Sequence, residues 1–216
     1  MNFKKTNSKT DGKALFLNHL PISACPVYYE VMSLTRSEKL PARWEAVDFI
    51  LKGADGRNYS LQDFKEKNGL LLVFTCNHCP YAKAAWPTLI SLHGKFGESV
   101  AFTAINSNDG EKYPEDSYEA MRKKIEEWGI PFPYLWDGSQ EYAKIYRAQC
   151  TPDNYLFENE DGIFKLYYHG RIADDWEKPA LAKEKNLENA LERLIKDEPA
   201  PENQPQSVGC SIKWKT

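Results

Sequence analysis

The order of apolar and polar positions predicts a strand followed directly by a helix in the first half of the chain. The apolar run GLLLVFTC, residues 69–76, has the length expected of a strand buried on both faces. Apolar residues then recur at helical spacing from Ala82 to Phe96. Pro80 suits the first helical turn, and Pro87 is expected to kink the helix interior.

The alternation continues on both sides of this unit. The run VAFTAIN, residues 100–106, predicts a second strand, and a helix follows it. Asp116 and Glu119 have capping-box spacing at the expected start of that helix, and Gly129 is placed to end it. Upstream, residues 46–64 predict a short hairpin and then a short helix.

The last third of the chain predicts a closing hairpin and a final helix. A short helix is expected from about Gln140 to Ala148, and two strand-like runs are joined across residues 159–162. A final amphipathic helix contains Leu187 and Leu191. These elements predict an α/β fold whose central mixed sheet carries helices on both faces, with parallel pairing early and antiparallel pairing late.

Length and composition indicate one domain with extensions. A chain of 216 residues with 42% apolar residues can bury one substantial core, which excludes disorder throughout. We expect an N-terminal extension over residues 1–41 and a domain over residues 42–198. The proline-rich DEPAPENQPQ has the composition of a flexible linker, so residues 199–216 are predicted to be a linker and a cysteine-containing tail.

The charge pattern argues against nucleic acid as a partner. The chain has 28 basic and 31 acidic residues without a polybasic block. No apolar run reaches the length of roughly 18 residues that a membrane span needs. A soluble, cytoplasmic protein is expected, although the sequence does not predict its oligomeric state.

One N-terminal segment suggests a different location. The segment ALFLNHLPISAC ends in a small-residue box before Cys25, as in exported proteins that are lipid-anchored at a cysteine. Asn18, His19 and Pro21 interrupt the apolar stretch that such a signal requires. Export with an anchor at Cys25 is therefore the alternative to a cytoplasmic location.

The cysteine spacing indicates thiol chemistry. Five cysteines at uneven spacing do not form the dense, even-numbered framework of structural disulfides. Cys76 and Cys79 form a CxxC pair where the buried strand meets the helix, and a helix N-terminus lowers a cysteine pKa to roughly 3.5–7.5 from about 8.5. We expect Cys76 to be exposed and to attack, Cys79 to resolve the mixed disulfide, and His78 to tune the Cys76 thiolate.

These elements resemble a known fold family. The strand, the CxxC pair, the kinked helix and the later Thr151-Pro152 resemble the thioredoxin fold, in which that proline is cis and faces the cysteine pair. The motifs CNHCPYAK, AINSNDGEKYPEDS, PFPYLWD, CTPDNYLF and VGCSIKW resemble a peroxiredoxin-like group of the redoxin branch over about residues 44–216. The resemblance implies a thioredoxin-like three-layer sandwich, with Thr151 and Pro152 shaping a partner-binding groove.

The resemblance leaves the activity open between two reactions. In peroxiredoxins the peroxidatic cysteine is the second of the pair, here Cys79, and a threonine lies three residues before it, where this chain has Cys76. The proline expected farther upstream is Leu72. The sequence therefore favours exchange with protein or small-molecule thiols and disulfides over peroxide reduction, with no cofactor.

The departures from thioredoxin itself concern the strand before the cysteine pair. Thr75 replaces the usual tryptophan, and residues 69–75 contain no acid that could serve as a buried proton acceptor.

Two further cysteines are candidates for the same chemistry. Cys150 lies two residues before the proline, as a buried apolar residue or a third thiol. Cys210 lies in the tail, as an incidental cysteine or a resolving thiol. The cysteines with His78 could also bind a metal, but without a second closely spaced pair no metal is predicted. A metal-binding or partner-docking module is the remaining alternative.

Overall fold

A computed structural model of the protein describes residues 34–216. The strands are β1 (Leu34–Arg36), β2 (Leu51–Gly53), β3 (Asn58–Tyr59), β4 (Gly69–Thr75), β5 (Val100–Asn106), β6 (Tyr134–Trp136), β7 (Cys150–Thr151), β8 (Asp153–Glu160), β9 (Ile163–Gly170) and β10 (Val208–Ser211). The α-helices are α1 (Pro80–Phe96), α2 (Tyr118–Trp128), α3 (Glu141–Ile145) and α4 (Asn186–Ile195). Cys25 and the rest of the suggested export segment lie outside the described residues.

Seven strands form the main sheet in the order β3-β2-β6-β5-β4-β8-β9. β4 pairs in parallel with β5, and β5 pairs in parallel with β6. β8 joins β4 antiparallel and continues into the antiparallel hairpin with β9. The predicted change from parallel to antiparallel pairing along the chain is confirmed.

β4 is buried on both faces because helices cover both sides of the sheet. Leu71 and Val73 pack into one core with residues of α1, α2 and α4. Leu70 and Leu72 point the other way, into a core that contains residues of α3 and the first hairpin. This double burial explains the uninterrupted apolar run and confirms the predicted three-layer arrangement.

The predicted cap of the second helix is wrong. Ser117, not Asp116, precedes α2, and its hydroxyl accepts a hydrogen bond from the Ala120 amide at 3.3 Å. Asp116 ends a short 3₁₀ turn and is 0% exposed. Gly129 ends α2 in the left-handed conformation, as predicted, with φ of 61°.

Residues 199–207 are held against the domain, which differs from the flexible linker that composition predicts. The Gln204 amide donates to the Tyr167 carbonyl at 3.0 Å, and its carbonyl oxygen accepts from the His169 amide at 3.0 Å. The Gln206 side chain donates to the Ser37 carbonyl. Side-chain amides that satisfy backbone groups fix this segment despite its prolines.

A second, smaller sheet joins the two ends of the described chain. Its order is β1-β10-β7, and both pairings are antiparallel. The last residues of the predicted N-terminal extension thus pair with the predicted tail. Within residues 34–216 no helix is long and apolar enough to cross a membrane.

Gly209 allows β10 to approach β7 closely. A Cβ at this position would lie 2.1 Å from the Thr151 carbonyl oxygen. We expect Gly209→Ala to lower the free energy of unfolding by about 1–3 kcal/mol, because backbone must shift to relieve the overlap. Urea denaturation measures the change. Gly94→Ala is the control because its Cβ would meet nothing within 4 Å, and an equal loss in both variants would contradict the explanation.

Candidate functional site

The CxxC pair lies between β4 and α1, directly before the first helical turn. α1 starts at Pro80, so Cys79 is the N-cap residue and Cys76 lies three residues before it. Cys76 is 0% exposed and Cys79 is 1% exposed. The expectation of an exposed Cys76 is therefore wrong, because Cys79 holds the position at the helix N-terminus and both sulfurs are covered.

Polar groups of three residues surround the Cys79 sulfur. Cys76, Ala82 and Cys210 pack against it in one buried group. The thiols of Cys210 and Cys76 and the backbone amides of Ala82 and Cys210 lower the pKa of Cys79, with the Cys210 thiol the strongest influence, against the opposing effect of burial. Cys79 is thus the residue of the pair whose thiolate the structure stabilises.

Cys76 has the opposite environment. Burial raises the pKa of its thiol well above the usual value, and the neighbouring Cys79 and the charge of Asp116 act in the same direction. Its sulfur lies 3.2 Å from the Thr151 hydroxyl. Its carbonyl oxygen accepts a hydrogen bond from the Trp86 indole at 3.3 Å. Cys76 is therefore held as a neutral thiol.

Thr151 and Pro152 face the cysteine pair, as the fold resemblance implies. The peptide bond between them is cis. The protonated Cys79 thiol donates a hydrogen bond to the Thr151 carbonyl oxygen at 3.5 Å, and the Thr151 hydroxyl contacts Cys76. Thr151 thus contacts both sulfurs of the CxxC pair, one through its hydroxyl and the other through its carbonyl oxygen.

His78 and Asp116 form a charged pair beside the thiols. The His78 Nδ1 atom lies 2.5 Å from Asp116 Oδ2, and the imidazole ring stacks on Tyr113 with centroids 5.5 Å apart. The hydrogen bond to Asp116 is the main cause of a raised His78 pKa, and negative charge on Cys79 adds to it. A protonated His78 in turn favours the Cys79 thiolate.

Asp116 is the site residue that the sequence misses. Its Oδ1 atom accepts from the Asn77 amide at 2.7 Å, and Oδ2 also accepts from the Asn108 side chain at 2.7 Å. Its capping-box spacing predicts a helix cap, and the thioredoxin resemblance implies a buried acid in the strand before the cysteine pair rather than in this loop. The sequence feature that points to Asp116 is the acidic loop NDGEKYPED, which directly follows a core strand and can therefore border the site.

Cys76, Cys79 and Cys210 form one buried group, here called the thiol cluster. Cys210 is 3% exposed and lies in β10 directly opposite Thr151. Cys150 directly precedes Thr151 in β7 but is not part of the thiol cluster. Its sulfur lies 3.7 Å from the Pro152 carbonyl oxygen, and burial raises its pKa. The structure thus brings one of the two additional candidate cysteines into contact with Cys79.

The described residues that could hold a metal ion are Cys76, His78 and Asp116, whose ligand atoms lie within 4.8 Å of one another. Both Asp116 oxygens already accept hydrogen bonds, and one of them bonds the His78 nitrogen. A metal ion bound here would have to displace these hydrogen bonds, and Cys76 would be its one thiolate ligand. The arrangement therefore fits a hydrogen-bonded pair better than a soft-metal site.

The central sheet, the helices on both faces and the cis-proline facing the cysteine pair define a thioredoxin-like fold. A family model described as the AhpC/TSA family matches residues 43–165. The chain belongs to the AhpC/TSA family, which confirms the predicted relationship to the redoxin branch.

The similar proteins include structures and named oxidoreductases. An uncharacterized conserved protein from Geobacillus kaustophilus is 41% identical, and the match covers 86% of this chain and 98% of that chain with a TM-score of 0.79. The thioredoxin-like protein YneN of Bacillus subtilis is 29% identical over 59% of this chain and 71% of that protein. The thiol-disulfide oxidoreductase ResA of Bacillus thuringiensis is 24% identical over 61% of this chain and 72% of that protein. These relatives support the predicted oxidoreductase class.

Proposed function

We propose that the protein is a thiol-disulfide oxidoreductase in which the Cys79 thiolate is the nucleophile. The observation that carries the proposal is the position of Cys79, which is the N-cap residue of α1 and packs against Cys76 and Cys210. These neighbours lower its pKa, and the thiolate is the reactive form in disulfide exchange. The order of attack is the reverse of the one predicted from sequence, where Cys76 had this role.

The reaction begins when Cys79 attacks one sulfur of a substrate disulfide. The other substrate sulfur leaves as a thiolate, and Cys79 is left in a mixed disulfide. A second protein thiol then attacks Cys79, and the substrate is released fully reduced. Cys76 and Cys210 both pack against Cys79 in the thiol cluster and can supply that thiol.

His78 and Thr151 contribute to this reaction through position and charge. The protonated imidazole, held by Asp116, stabilises negative charge on Cys79. Thr151 and Pro152 border the sulfurs and are the proposed substrate-binding residues. An apolar pocket beside them, lined by Tyr81 and Trp176 among others, offers a surface for a small thiol or a protein side chain.

Peroxide reduction is the second candidate function, and one observation favours it. The stabilised thiolate is at Cys79, the position that the peroxidatic cysteine takes in the peroxiredoxin resemblance. The threonine of that reaction is replaced by Cys76, whose thiol packs against Cys79. Peroxide would oxidise Cys79 to a sulfenic acid, and a neighbouring thiol would condense with it to form a disulfide and water.

Stopped-flow mixing separates the two reactions. Reduced protein is mixed with oxidised glutathione or with hydrogen peroxide, and loss of free thiol is followed by quenching and mass spectrometry. We expect the second-order rate constant with oxidised glutathione to exceed that with peroxide at least about tenfold. Cys150→Ala is the matched control and should behave like the unmodified protein. Faster oxidation by peroxide would replace the proposal with the peroxidase function.

A further inference from the structure

We propose that Cys210 is the resolving thiol of this site, so that turnover closes a disulfide between Cys79 and Cys210. The inference rests on the proposed function, because it requires Cys79 to be the attacking sulfur. It assigns the C-terminal strand β10 a direct part in the reaction and leaves Cys76 as a hydrogen-bond donor to the thiolate.

The first argument is the position of β10. This strand is the middle strand of the small sheet and has hydrogen-bonded neighbours on both sides. Cys210 pairs with Leu34 of β1 and with Thr151 of β7, the residue that contacts the CxxC sulfurs. The close approach at Gly209 holds β10 against the Thr151 carbonyl. The Cys210 backbone is therefore fixed next to the site.

The second argument is the packing of the two side chains against each other. Cys210 is the neighbour that lowers the pKa of Cys79 most. Both side chains belong to the buried thiol cluster together with Ala82. Cys210 is thus already next to the atom that a resolving thiol must attack.

The third argument is the charge around the two competing thiols. A resolving thiol must lose its proton. The neighbouring Cys79 is the main cause of the raised Cys210 pKa, and the positive charge of Lys213 opposes it. Burial is the main cause of the raised Cys76 pKa; the negative charge of Asp116 adds to it, and the Thr151 hydroxyl opposes it. Both thiols have raised pKa values, but the charged neighbour assists deprotonation of Cys210 and opposes that of Cys76.

The step balances without an added reagent. The substrate disulfide is the oxidant. Cys79 attacks it, the sulfur–sulfur bond of the substrate breaks, and Cys79 forms a mixed disulfide with one of the substrate sulfurs. Cys210 then attacks the Cys79 sulfur, the bond between Cys79 and the substrate breaks, and the second substrate thiolate leaves. The proton that Cys210 loses ends on that thiolate or in solvent, so one disulfide is reduced and one is formed.

Disulfide mapping of the full chain tests the inference without any variant. The reduced protein receives one equivalent of oxidised glutathione, is quenched with acid and a thiol-alkylating reagent within seconds, and is digested for mass spectrometry. We expect the peptides that contain Cys79 and Cys210 to be linked in most of the oxidised molecules. A predominant Cys76–Cys79 link would overturn the inference and leave the proposed function intact.

Two variants distinguish failure of the inference from failure of the proposed function. In Cys76→Ser/Cys210→Ser, glutathione should remain attached to Cys79; an absence of that adduct would reject Cys79 as the nucleophile. In Cys76→Ser, the retained Cys210 should lower the amount of adduct at least about tenfold relative to the double variant. Equal amounts of adduct in these two variants would overturn the role of Cys210. Cys76→Ser/Cys150→Ala is the matched control and should clear the adduct as Cys76→Ser does.

Discussion

Replacing Cys79 by serine is expected to abolish disulfide exchange, whereas Cys76→Ser should still form the first mixed disulfide. Serine at position 79 removes the sulfur at the N-terminus of α1, which belongs to the only described cysteine whose pKa is lowered. We expect a loss of at least about 10³-fold in the rate of reaction with a model disulfide, as for removal of other catalytic nucleophiles. Serine at position 76 keeps a hydroxyl that can donate to Cys79.

The measurement is the single-turnover rate with oxidised glutathione, together with the site of the adduct. Cys150→Ala provides the control for loss of a buried thiol outside the thiol cluster. Full loss in Cys76→Ser and retention in Cys79→Ser would restore the order of attack predicted from sequence and reject the one proposed.

Replacing Asp116 by alanine is expected to cause the largest loss of stability among single changes at the site. The substitution leaves the Asn77 amide, the Asn108 side chain and His78 without their shared acceptor inside the protein. Breaking such buried, charge-assisted bonds costs about 3 kcal/mol or more. Chemical denaturation measures this loss. Glu115→Ala is the matched control because Glu115 is exposed in the same turn, and a change within about 0.5 kcal/mol is expected.

The same pair gives stability a predictable dependence on pH. Asp116 raises the folded-state pKa of His78 above 6.5. The stabilisation from the charged pair is therefore complete below pH 6.5 and is lost as the pH rises through the folded-state pKa. Asp116→Asn should remove this part of the pH dependence, as measured by denaturation at a series of pH values. An unchanged profile in Asp116→Asn would show that His78 does not titrate against Asp116.

The strands and helices could be predicted from the sequence because they depend on the pattern of apolar and polar residues that are close together in the chain. The run 69–76 could be recognised as a doubly buried strand, and the antiparallel hairpin after Pro152 followed from two strand-like runs around a turn. Gly129 ended its helix as expected because only the local backbone conformation matters there. These features depend on residues close together in the sequence.

The arrangement of the site depended on contacts that no local pattern contains. Cys79 and Cys210 are far apart in sequence, and only the pairing of β10 with β7 brings them together. Asp116 has capping spacing but is buried, because three donors from other segments need its oxygens. The proposed nucleophile differs from the predicted one because Cys79, not Cys76, is the N-cap residue of α1.

The hydrogen bond from Trp86 to the Cys76 carbonyl gives the protein an internal optical probe. The Trp86 indole is 2% exposed and is anchored to the backbone of the CxxC segment. Indole emission responds to nearby sulfur oxidation and to small changes in local polarity. The oxidation state of the buried thiols should therefore be readable from intrinsic fluorescence without any attached label, which allows turnover to be followed in real time.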